Sequence, residues 1–438
     1  MFRYLIRIAL LSLRRNPVLS ALLIAAIALG VAVSTAFVTV YYIYSGDPIP
    51  SKSDRLFYVQ MDSWNPDRPY SRNRPEYPPD QITTRDMQGI MVSEIPTYQS
   101  GMFVASLTIH PPEAEERPSR ERVRMCFADF FPMFDVPFAY GGGWDRSADR
   151  GPEPVVVLDS ATNDRLFGGG DSVGKTVRIE DRQFIVTGVL APWRPVPRFY
   201  DTHTGASQVP EGIYIPFEFV REFEVETSGN LLIWSDYDES GGFGAFLASE
   251  AIWIQMWVQL DTPEQRQAYS DFLDAYVMEQ KNQGRFGRPL NNRLLDVMGW
   301  LKDQEVVPEE ATGLLILSLL FLLVCAVNLI GILLGKFLSR APEVGVRRAL
   351  GASRASVFLQ HIVECELVGV IGGFLGLGLS AIFLLLINRL LDNSGQFRLD
   401  VPMVAAGIGL ALVAGLVAGL YPAWRICRLA PAIHLKLQ

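Results

Sequence analysis

The sequence Ser339-Arg-Ala-Pro-Glu-Val-Gly-Val-Arg-Arg-Ala-Leu-Gly-Ala-Ser353 separates two long apolar runs. Its position predicts a short loop between two membrane spans, and its residues predict a helix within that loop. Pro342 suits the first helical turn, because an amide hydrogen at this position has no partner inside the helix. Gly351 follows the last predicted helical residue, Leu350, and glycine readily adopts the left-handed conformation that ends many helices. We therefore expect a helix over residues 342–350.

The side chains of this predicted helix divide into a charged set and an apolar set. Glu343 and Arg347 are four residues apart with the acidic residue first, which is the favourable order for an ion pair. Arg347 and Arg348 are expected to face water. The apolar residues are expected to face lipid headgroups or neighbouring helices, and they are Val344, Val346 and Leu350. On periodicity alone, the stretch also fits a basic interfacial helix that follows the positive-inside rule.

Four windows of the sequence carry no charged residue and are long enough to span a membrane. A transmembrane helix needs roughly 20 predominantly apolar residues. The windows contain 31, 25, 22 and 24 residues, and they are 16–46, 311–335, 367–388 and 401–424. The first window is too long for the apolar core of a signal peptide, roughly 7–15 residues, so we expect it to be an anchor. The sequence predicts an α-helical membrane protein with four transmembrane helices.

The distribution of charge predicts the orientation of these helices. Residues 1–17, 335–360 and 422–438 hold 4, 5 and 3 Lys or Arg residues, 12 in total, and one acidic residue, Glu343. Basic loops stay in the cytoplasm, so both termini and the loop are expected there. Residues 45–311 hold 25 basic and 42 acidic residues, a net charge of −17, and are expected outside. Such an acidic segment is not suited to binding nucleic acid.

The predicted boundaries follow from these windows and charges. They are a cytoplasmic amphipathic N-terminus (1–17), transmembrane helices (18–44, 312–334, 361–388 and 402–421), a periplasmic domain (45–311), a cytoplasmic loop (335–360), a short periplasmic loop (389–401) and a cytoplasmic tail (422–438). The large segment between the first two spans is long enough for one or two subdomains and is expected to have an α+β fold. Cys126 is its only cysteine, so no disulfide within it is expected.

Local patterns predict several elements in this segment. Alternating or apolar runs predict strands at 56–61, 154–158, 213–217 and 253–260, and two strands within 176–190. Helix signals predict helices at 79–91, 160–167, 262–279 and 292–304.

Residues 169–176, Gly-Gly-Asp-Ser-Val-Gly-Lys-Thr, match the P-loop pattern G-x-x-x-x-G-K-[ST]. A P-loop lies between a strand and a helix, whereas a predicted helix precedes this match and a predicted strand follows it. We therefore predict a turn before a β-hairpin, and we expect a separate protein to hydrolyse ATP. No catalytic residue is predicted. No metal site is predicted either, because the four histidines, at positions 110, 203, 361 and 434, are not spaced as paired ligands.

The loop and the residues after it resemble the signature of MacB/FtsX-type ABC transporter permeases. The resemblance rests on Glu343-Val-Gly-Val-Arg-Arg-Ala-Leu-Gly-Ala352, followed by Gln360, Glu364 and the pair Gly372-Gly373. In that family this loop carries the coupling helix, which docks into a cytoplasmic ATPase. The resemblance implies that ten residues form the ATPase-binding helix: Pro342, Glu343, Val344, Gly345, Val346, Arg347, Arg348, Ala349, Leu350 and Gly351. Three of them, Glu343, Arg347 and Arg348, are expected to carry the contact.

The segment outside the membrane is similar to the periplasmic core domain of MacB-like permeases. The similarity rests on five strings: Pro154-Val-Val-Val-Leu158, Leu166-Phe-Gly168, Val173-Gly-Lys175, Phe184-Ile-Val-Thr-Gly-Val189 and Ile213-Tyr-Ile-Pro216. It implies a MacB-like core domain inserted between the first and second transmembrane helices.

Glu364 matches an acidic position that the family places just after the coupling loop. It lies near the predicted cytoplasmic start of the third span, and an ionisable group inside a membrane is a candidate functional residue. We expect Glu364 to pair with Arg347, Arg348 or Arg354.

Glycines four residues apart occur in the third and fourth spans, and small residues at this spacing allow helices to approach closely in lipid. Packing within the chain and a dimer interface are both compatible with the pattern. The pairs are Gly369/Gly373, Gly372/Gly376 and Gly415/Gly419.

The resemblance implies a membrane subunit that converts ATP hydrolysis by a separate cytoplasmic ATPase into a periplasmic conformational change, for export of a substrate from the periplasm. It implies a second permease, as a homodimer or a heterodimer, in the bacterial inner membrane. A membrane-fusion adaptor and a TolC-like outer-membrane channel are further partners of MacB-like systems. MacB itself carries a fused ATPase domain at its N-terminus; here we expect the ATPase to be a separate chain, with ATP and Mg on that partner. An FtsX-like regulator of a cell-wall hydrolase and a LolC/LolE-like lipoprotein-releasing permease are the alternatives.

Overall fold

A computed structural model of the protein describes residues 2–112, 117–225, 227–307, 309–390 and 397–428. The chain forms two compact units. The helical unit combines residues 1–45 with residues 307–438, and the inserted domain comprises residues 46–306. The helical unit begins with an amphipathic helix, α1 (Phe2–Arg15), and a long apolar helix, α2 (Pro17–Ser45).

The inserted domain is built on one sheet of eleven strands. In chain order the strands are β1 (Leu56–Gln60), β2 (Ile82–Thr83), β3 (Tyr98–His110), β4 (Ser119–Cys126), β5 (Phe138–Gly141), β6 (Val155–Leu158), β7 (Thr176–Ile179), β8 (Arg182–Leu190), β9 (Ile213–Pro216), β10 (Ile252–Gln259) and β11 (Arg293–Asp296).

Their order in the sheet is β11-β1-β10-β3-β4-β9-β6-β8-β5. Strand β2 pairs with β10, and β7 pairs with both β3 and β8. Most neighbours are antiparallel, but β4 with β9 and β6 with β8 are parallel.

Alternate side chains along the strands fill two separate cores, because successive residues of a strand point to opposite faces of the sheet. On β1, Phe57 and Val59 belong to one core, and Leu56 and Tyr58 belong to the other. In the second core the Tyr58 ring stacks on Trp300, with 3.7 Å between ring centroids. The sheet is therefore covered on both faces.

Eight α-helices and one short 3₁₀ segment (Glu239–Gly241) complete the described part of the inserted domain. The helices are α3 (Thr84–Ile90), α4 (Phe130–Met133), α5 (Ser147–Arg150), α6 (Ser160–Phe167), α7 (Phe219–Phe223), α8 (Gly242–Ala248), α9 (Pro263–Asn282) and α10 (Val297–Asp303).

Helix α9 begins as its sequence predicts. The Thr262 hydroxyl accepts a hydrogen bond from the Gln265 amide, and the Gln265 side chain accepts from the Thr262 amide. This reciprocal pair satisfies two amides that the helix leaves free. The helix continues to Asn282, three residues beyond its predicted end.

Two predicted helices are wrong over part of their length. In the segment predicted as helix 79–91, the helix spans only Thr84–Ile90, because Thr83 caps it and β2 pairs with β10 immediately before it. In the segment predicted as helix 292–304, the first part is strand β11, which pairs with β1. Asp296 then caps α10 by accepting a hydrogen bond from the Gly299 amide at 2.6 Å.

A buried cluster of charges lies beside strand β4. The Arg124 guanidinium contacts Asp201 at 2.7 Å and Glu211 at 2.8 Å, and Arg198 contacts Glu211 at 2.8 Å. All four side chains are buried. Burial alone would raise the pKa of Asp201 and Glu211, but Arg124 and Arg198 outweigh it and hold both pKa values below the usual range. The cluster therefore ties β4 to the loop of residues 198–211.

The helical unit continues with α11 (Glu309–Leu338), α12 (Ala341–Ala349), α13 (Arg354–Leu390) and α14 (Val401–Cys427). Among the residues that the structure describes, four helices are long and apolar enough to cross a membrane, namely α2, α11, α13 and α14. This arrangement confirms the predicted class, a four-helix membrane protein with a large α and β domain inserted between the first and second spans.

The glycines of α13 and α14 are in close contact with other helices of the same chain. A Cβ atom on Gly373 would lie 2.6 Å from Ala411, and one on Gly419 would lie 2.7 Å from Cys365. Gly369 and Gly415 lie against each other, whereas Gly372 and Gly376 pack against α2. These contacts are packing within the chain, and the dimer interface that the same spacing allows stays a prediction.

Candidate functional site

Helix α12 occupies the loop that the sequence marks as the coupling helix. It begins at Ala341, one residue before the prediction, with Pro342 in its first turn. Leu350 caps its end, and Gly351 follows with φ +103°. This left-handed conformation suits glycine, and the Gly351 and Ala352 amides bond back to carbonyls of the last turn.

The charged side chains of α12 bond mainly to other parts of this chain. Arg347 contacts Glu343 at 2.8 Å and donates to Gln360 of α13 at 3.1 Å. Arg348 donates to the Cys427 carbonyl of α14 at 3.2 Å. Glu343 also lies 3.5 Å from Arg15 of α1. Helix α12 is therefore fixed to three other helices of the unit.

The expectation that Arg347 and Arg348 face water is wrong in part, since both are half-buried and bonded within the chain. The exposed large apolar residues of α12 and its cap are Leu350, at 83%, and Val346, at 46%. Val344 instead packs against the apolar core of the unit. The free face of the helix thus presents Val346 and Leu350 together with Glu343.

A second cluster surrounds Glu364, which is buried in α13. Its carboxylate accepts a hydrogen bond from the Ser12 hydroxyl of α1 and lies 2.7 Å from Lys336 Nζ of α11. Arg340, just before α12, lies 3.8 Å from the same carboxylate and donates to the Ser12 hydroxyl at 2.5 Å. One carboxylate thus connects α1, α11 and the start of α12.

The prediction that Glu364 pairs with Arg347, Arg348 or Arg354 is wrong. Arg354 is the first residue of α13, and ten residues of helix separate the two side chains by about 15 Å along the axis. Arg347 and Arg348 are engaged by Gln360 and Cys427 instead.

Sequence reasoning missed Lys336, Arg340 and Ser12 as partners of Glu364. A signal for Lys336 was present, because it is the charged residue that ends the second apolar window. A buried carboxylate needs an opposite charge. No pattern in the sequence indicates Ser12, since its approach depends on how α1 packs against α13.

The P-loop-like segment has the structure of a turn. Helix α6 precedes it, strand β7 follows it, and Gly169, Gly170 and Gly174 have positive φ. The Lys175 ammonium lies 5.1 Å from the centre of the Phe167 ring. No helix N-terminus follows that could hold a phosphate. Across the residues that the structure describes, no group of three or more His, Cys, Asp and Glu side chains is placed to hold a metal.

The four apolar helices, the inserted domain and the short helix in the connection between the second and third spans define a polytopic membrane protein of the ABC permease class. The model of the MacB-like periplasmic core domain matches residues 20–276, and that of the FtsX-like permease C-terminal region matches residues 315–431. The chain belongs to the MacB/FtsX-type ABC transporter permeases. Permeases of this family work with ABC-type ATPases.

Curated relatives include two MacB proteins, each named macrolide export ATP-binding/permease protein. The protein from Syntrophobacter fumaroxidans is 24% identical over 335 residues, which cover 70% of this chain and 46% of that protein. The protein from Neisseria meningitidis is 25% identical over 313 residues, covering 69% of this chain and 41% of that protein. A pyoverdine export ATP-binding/permease protein, PvdT from Pseudomonas aeruginosa, is 23% identical. Its alignment covers 71% of this chain and 41% of that protein. The alignments thus span less than half of these relatives.

Two solved structures each match more than half of the chain. The periplasmic region of MacB from Actinobacillus actinomycetemcomitans is 13% identical and covers 57% of this chain and 92% of its own, with a TM-score of 0.34. The extracellular domain of the transporter YknZ from Gram-positive bacteria is 13% identical, with a TM-score of 0.33. The match covers 55% of this chain and 100% of the YknZ domain.

Proposed function

We propose that this chain is a membrane subunit that converts ATP hydrolysis by a separate cytoplasmic ATPase into a conformational change of the inserted domain. One observation carries the proposal: α12 is tied to α1, α13 and α14, yet it leaves Val346 and Leu350 exposed. If an ATPase bound to the free face of α12 moves, it can displace α12 and, through these contacts, the transmembrane helices. ATP and Mg would bind the partner ATPase.

We further propose that the work done is export of a substrate from the periplasm. The curated relatives are named as export proteins, and the aligned regions include the segment that forms the inserted domain. Apart from Glu364 and Glu366 near one edge of the third span, the predicted spans carry no charged residue, whereas a polar pathway through them would need more. A second permease, a membrane-fusion adaptor and a TolC-like channel are the partners that fit this mechanism.

The proposal requires an orientation, which labelling can test. Single cysteines would replace Leu350 on α12 and Val173 on the inserted domain, both exposed, in a chain whose four native cysteines are changed to Ala or Ser. A thiol reagent that cannot cross the inner membrane should label Val173→Cys in intact cells. It should label Leu350→Cys only after that membrane is opened. The reverse pattern would contradict the proposed topology.

The contact with the ATPase is tested at Leu350. Leu350→Glu should fold and insert normally, because the side chain is 83% exposed, but it should lose most co-purifying ATPase. Leu350→Met, which keeps an apolar side chain of similar volume, is the matched control. Full assembly and full coupled hydrolysis with Leu350→Glu would mean that α12 is only a basic membrane loop.

A further inference from the structure

A cleft with a volume of about 370 Å³ opens between α1, α12 and the start of α13 in the helical unit. Ligand pockets in proteins span roughly 300–1,000 Å³, so this cleft is of a size for a small polar group. All of its walls belong to one unit of the chain.

Three arginines line the cleft: Arg15 of α1, Arg340 before α12, and Arg347 of α12. Glu343 is the acidic residue in the lining, and it offsets one of these charges through Arg15 and Arg347. Behind the lining, Lys336 and Glu364 offset each other. The cleft therefore carries a net positive charge of two from these groups, and guanidinium groups bind phosphate through paired N–H donors.

His361 supplies an independent indication of a ligand. Its side chain is only 3% exposed, yet it lines the cleft. Its ring packs against Phe337. Nδ1 faces the Glu364 carboxylate at 3.9 Å, and within the described parts of the chain Nε2 has no hydrogen-bond partner. Buried polar groups normally have partners. A ligand oxygen in the cleft would provide one.

Ser12 and Gln360 add uncharged polar groups to the lining, and the apolar wall of the cleft comes from Ile8, Leu11, Val344 and Val357. Helix α1 is amphipathic and also exposes Leu10 and Leu11, as helices that lie at a membrane surface do. Inorganic phosphate has no apolar part that could pack against this wall. A lipid does, because its glycerol and upper acyl carbons adjoin the phosphate.

We propose that this cleft binds the phosphate headgroup of an anionic glycerophospholipid. Arg15 and Arg340 contact the phosphate oxygens, and His361 donates from the base of the cleft. The apolar wall holds the adjoining glycerol and acyl carbons. A bound lipid would join α1 to α12, so the site would fix the N-terminal helix against the loop.

The test uses the purified full chain in detergent, titrated with dioleoylphosphatidylglycerol, dioleoylphosphatidylcholine or inorganic phosphate. Bound lipid is counted by native mass spectrometry, and the melting temperature is followed in parallel. Arg15→Gln removes an arginine of the cleft, and Arg14→Gln removes its exposed neighbour, which is not part of the lining. His361→Leu removes the buried ring nitrogens without changing an arginine.

We expect phosphatidylglycerol to bind at least tenfold more tightly than phosphatidylcholine. Arg15→Gln and His361→Leu should each weaken this binding by roughly tenfold, the equivalent of one hydrogen bond to a charged group. Arg14→Gln should change it less than twofold. Equal effects of Arg14→Gln and Arg15→Gln, or equal affinity for the two lipids, would overturn the site. Inorganic phosphate binding as tightly as phosphatidylglycerol would overturn the lipid as its source.

Discussion

The Lys336 ammonium lies 2.7 Å from Oε1 of Glu364, although both side chains are almost completely buried in the helical unit. Burying a charge is costly unless an opposite charge pairs with it. Ser12, Arg340 and His361 also lie around the carboxylate. The pair therefore fixes the end of the second span to the third span and, through Ser12, to the N-terminal helix.

Lys336→Met should be strongly destabilising, by about 3–5 kcal/mol, because it leaves a buried carboxylate with a more distant partner in Arg340. The double variant Lys336→Met/Glu364→Gln should be more stable than the sum of the single changes predicts, since no buried charge is then left alone. Thermal unfolding of the detergent-purified chain measures both. Glu366→Gln, two residues along α13, is the control, and additive effects of Lys336→Met and Glu364→Gln would contradict the pairing.

Arg124→Met should lower the free energy of unfolding of the inserted domain by about 3–5 kcal/mol, because Asp201 and Glu211 would lose a buried counter-charge. Arg120→Met on the same strand and face is the matched control; Arg120 is exposed, so its change should be within about 0.5 kcal/mol. Denaturant unfolding followed by tryptophan fluorescence reports this domain, since all tryptophans except Trp424 lie in it. Similar losses in both variants would mean that the cluster adds nothing specific.

The inserted domain should show a pH dependence that originates at Asp149. Burial raises the pKa of Asp149 to about 6, although the Ala128 amide and the Trp144 indole donate hydrogen bonds to it and act in the opposite direction. Because the folded-state pKa is above the ordinary 3.8, the folded domain binds a proton as the pH falls through about 6, before the unfolded chain does. This group therefore stabilises the fold at low pH, and the contribution is lost as the pH rises through about 6.

From pH 7 to pH 5 the gain from Asp149 should be about 1 kcal/mol. Burial lowers the pKa of His203, which makes an opposing contribution in the same range, so the measured quantity is the difference between the wild type and Asp149→Asn. The pKa values of Asp201 and Glu211 are lowered, so their contribution to the stability of the fold is lost only at a pH below this range. The wild-type curve should rise by about 1 kcal/mol relative to Asp149→Asn. Parallel curves for the two proteins would rule out the assignment.

The sequence predicts best where the signal is local. The four apolar windows, the capping pattern of Thr262 and the cap at Gly351 depend on neighbouring residues. Each window overlaps one observed apolar helix, although α13 begins well before its window, and both caps form where they are predicted. Strand β4 was not predicted, because Arg120, Arg122 and Arg124 alternate along it as on a solvated surface. The partners that bury Arg124 lie 77 and 87 residues further along the chain.

The surroundings of Glu364 show the same limit within the site. The residue itself stands out as an acid in an apolar helix, so the sequence alone identifies it. Its partners depend on which helices approach it. Ser12 and Lys336 come from two helices that are remote in sequence, whereas the nearby arginines of α12 turn towards Gln360 and Cys427.

The role of Arg347 can be separated from that of the free face of α12. Arg347→Glu would place two acids four residues apart and lose the contact with Glu343, which within an exposed helix is worth only a few tenths of a kcal/mol. A helix this short depends on tertiary contacts, because isolated helices under roughly 12–15 residues are marginal in water. Loss of a charged hydrogen bond at a desolvated interface costs more, about 2–5 kcal/mol.

Exchanging the two charges, as Glu343→Arg/Arg347→Glu, decides between these roles. The exchange restores an attractive pair within α12, and the Gln360 amide can bond to either side chain. If Arg347 mainly braces the helix, Arg347→Glu should weaken co-purification of the ATPase and the exchange should restore it. If Arg347 instead binds the partner directly, the exchange should remain as defective as Arg347→Glu. We expect the exchange to restore co-purification of the ATPase, because Arg347 is half-buried and already bonded to Glu343 and Gln360.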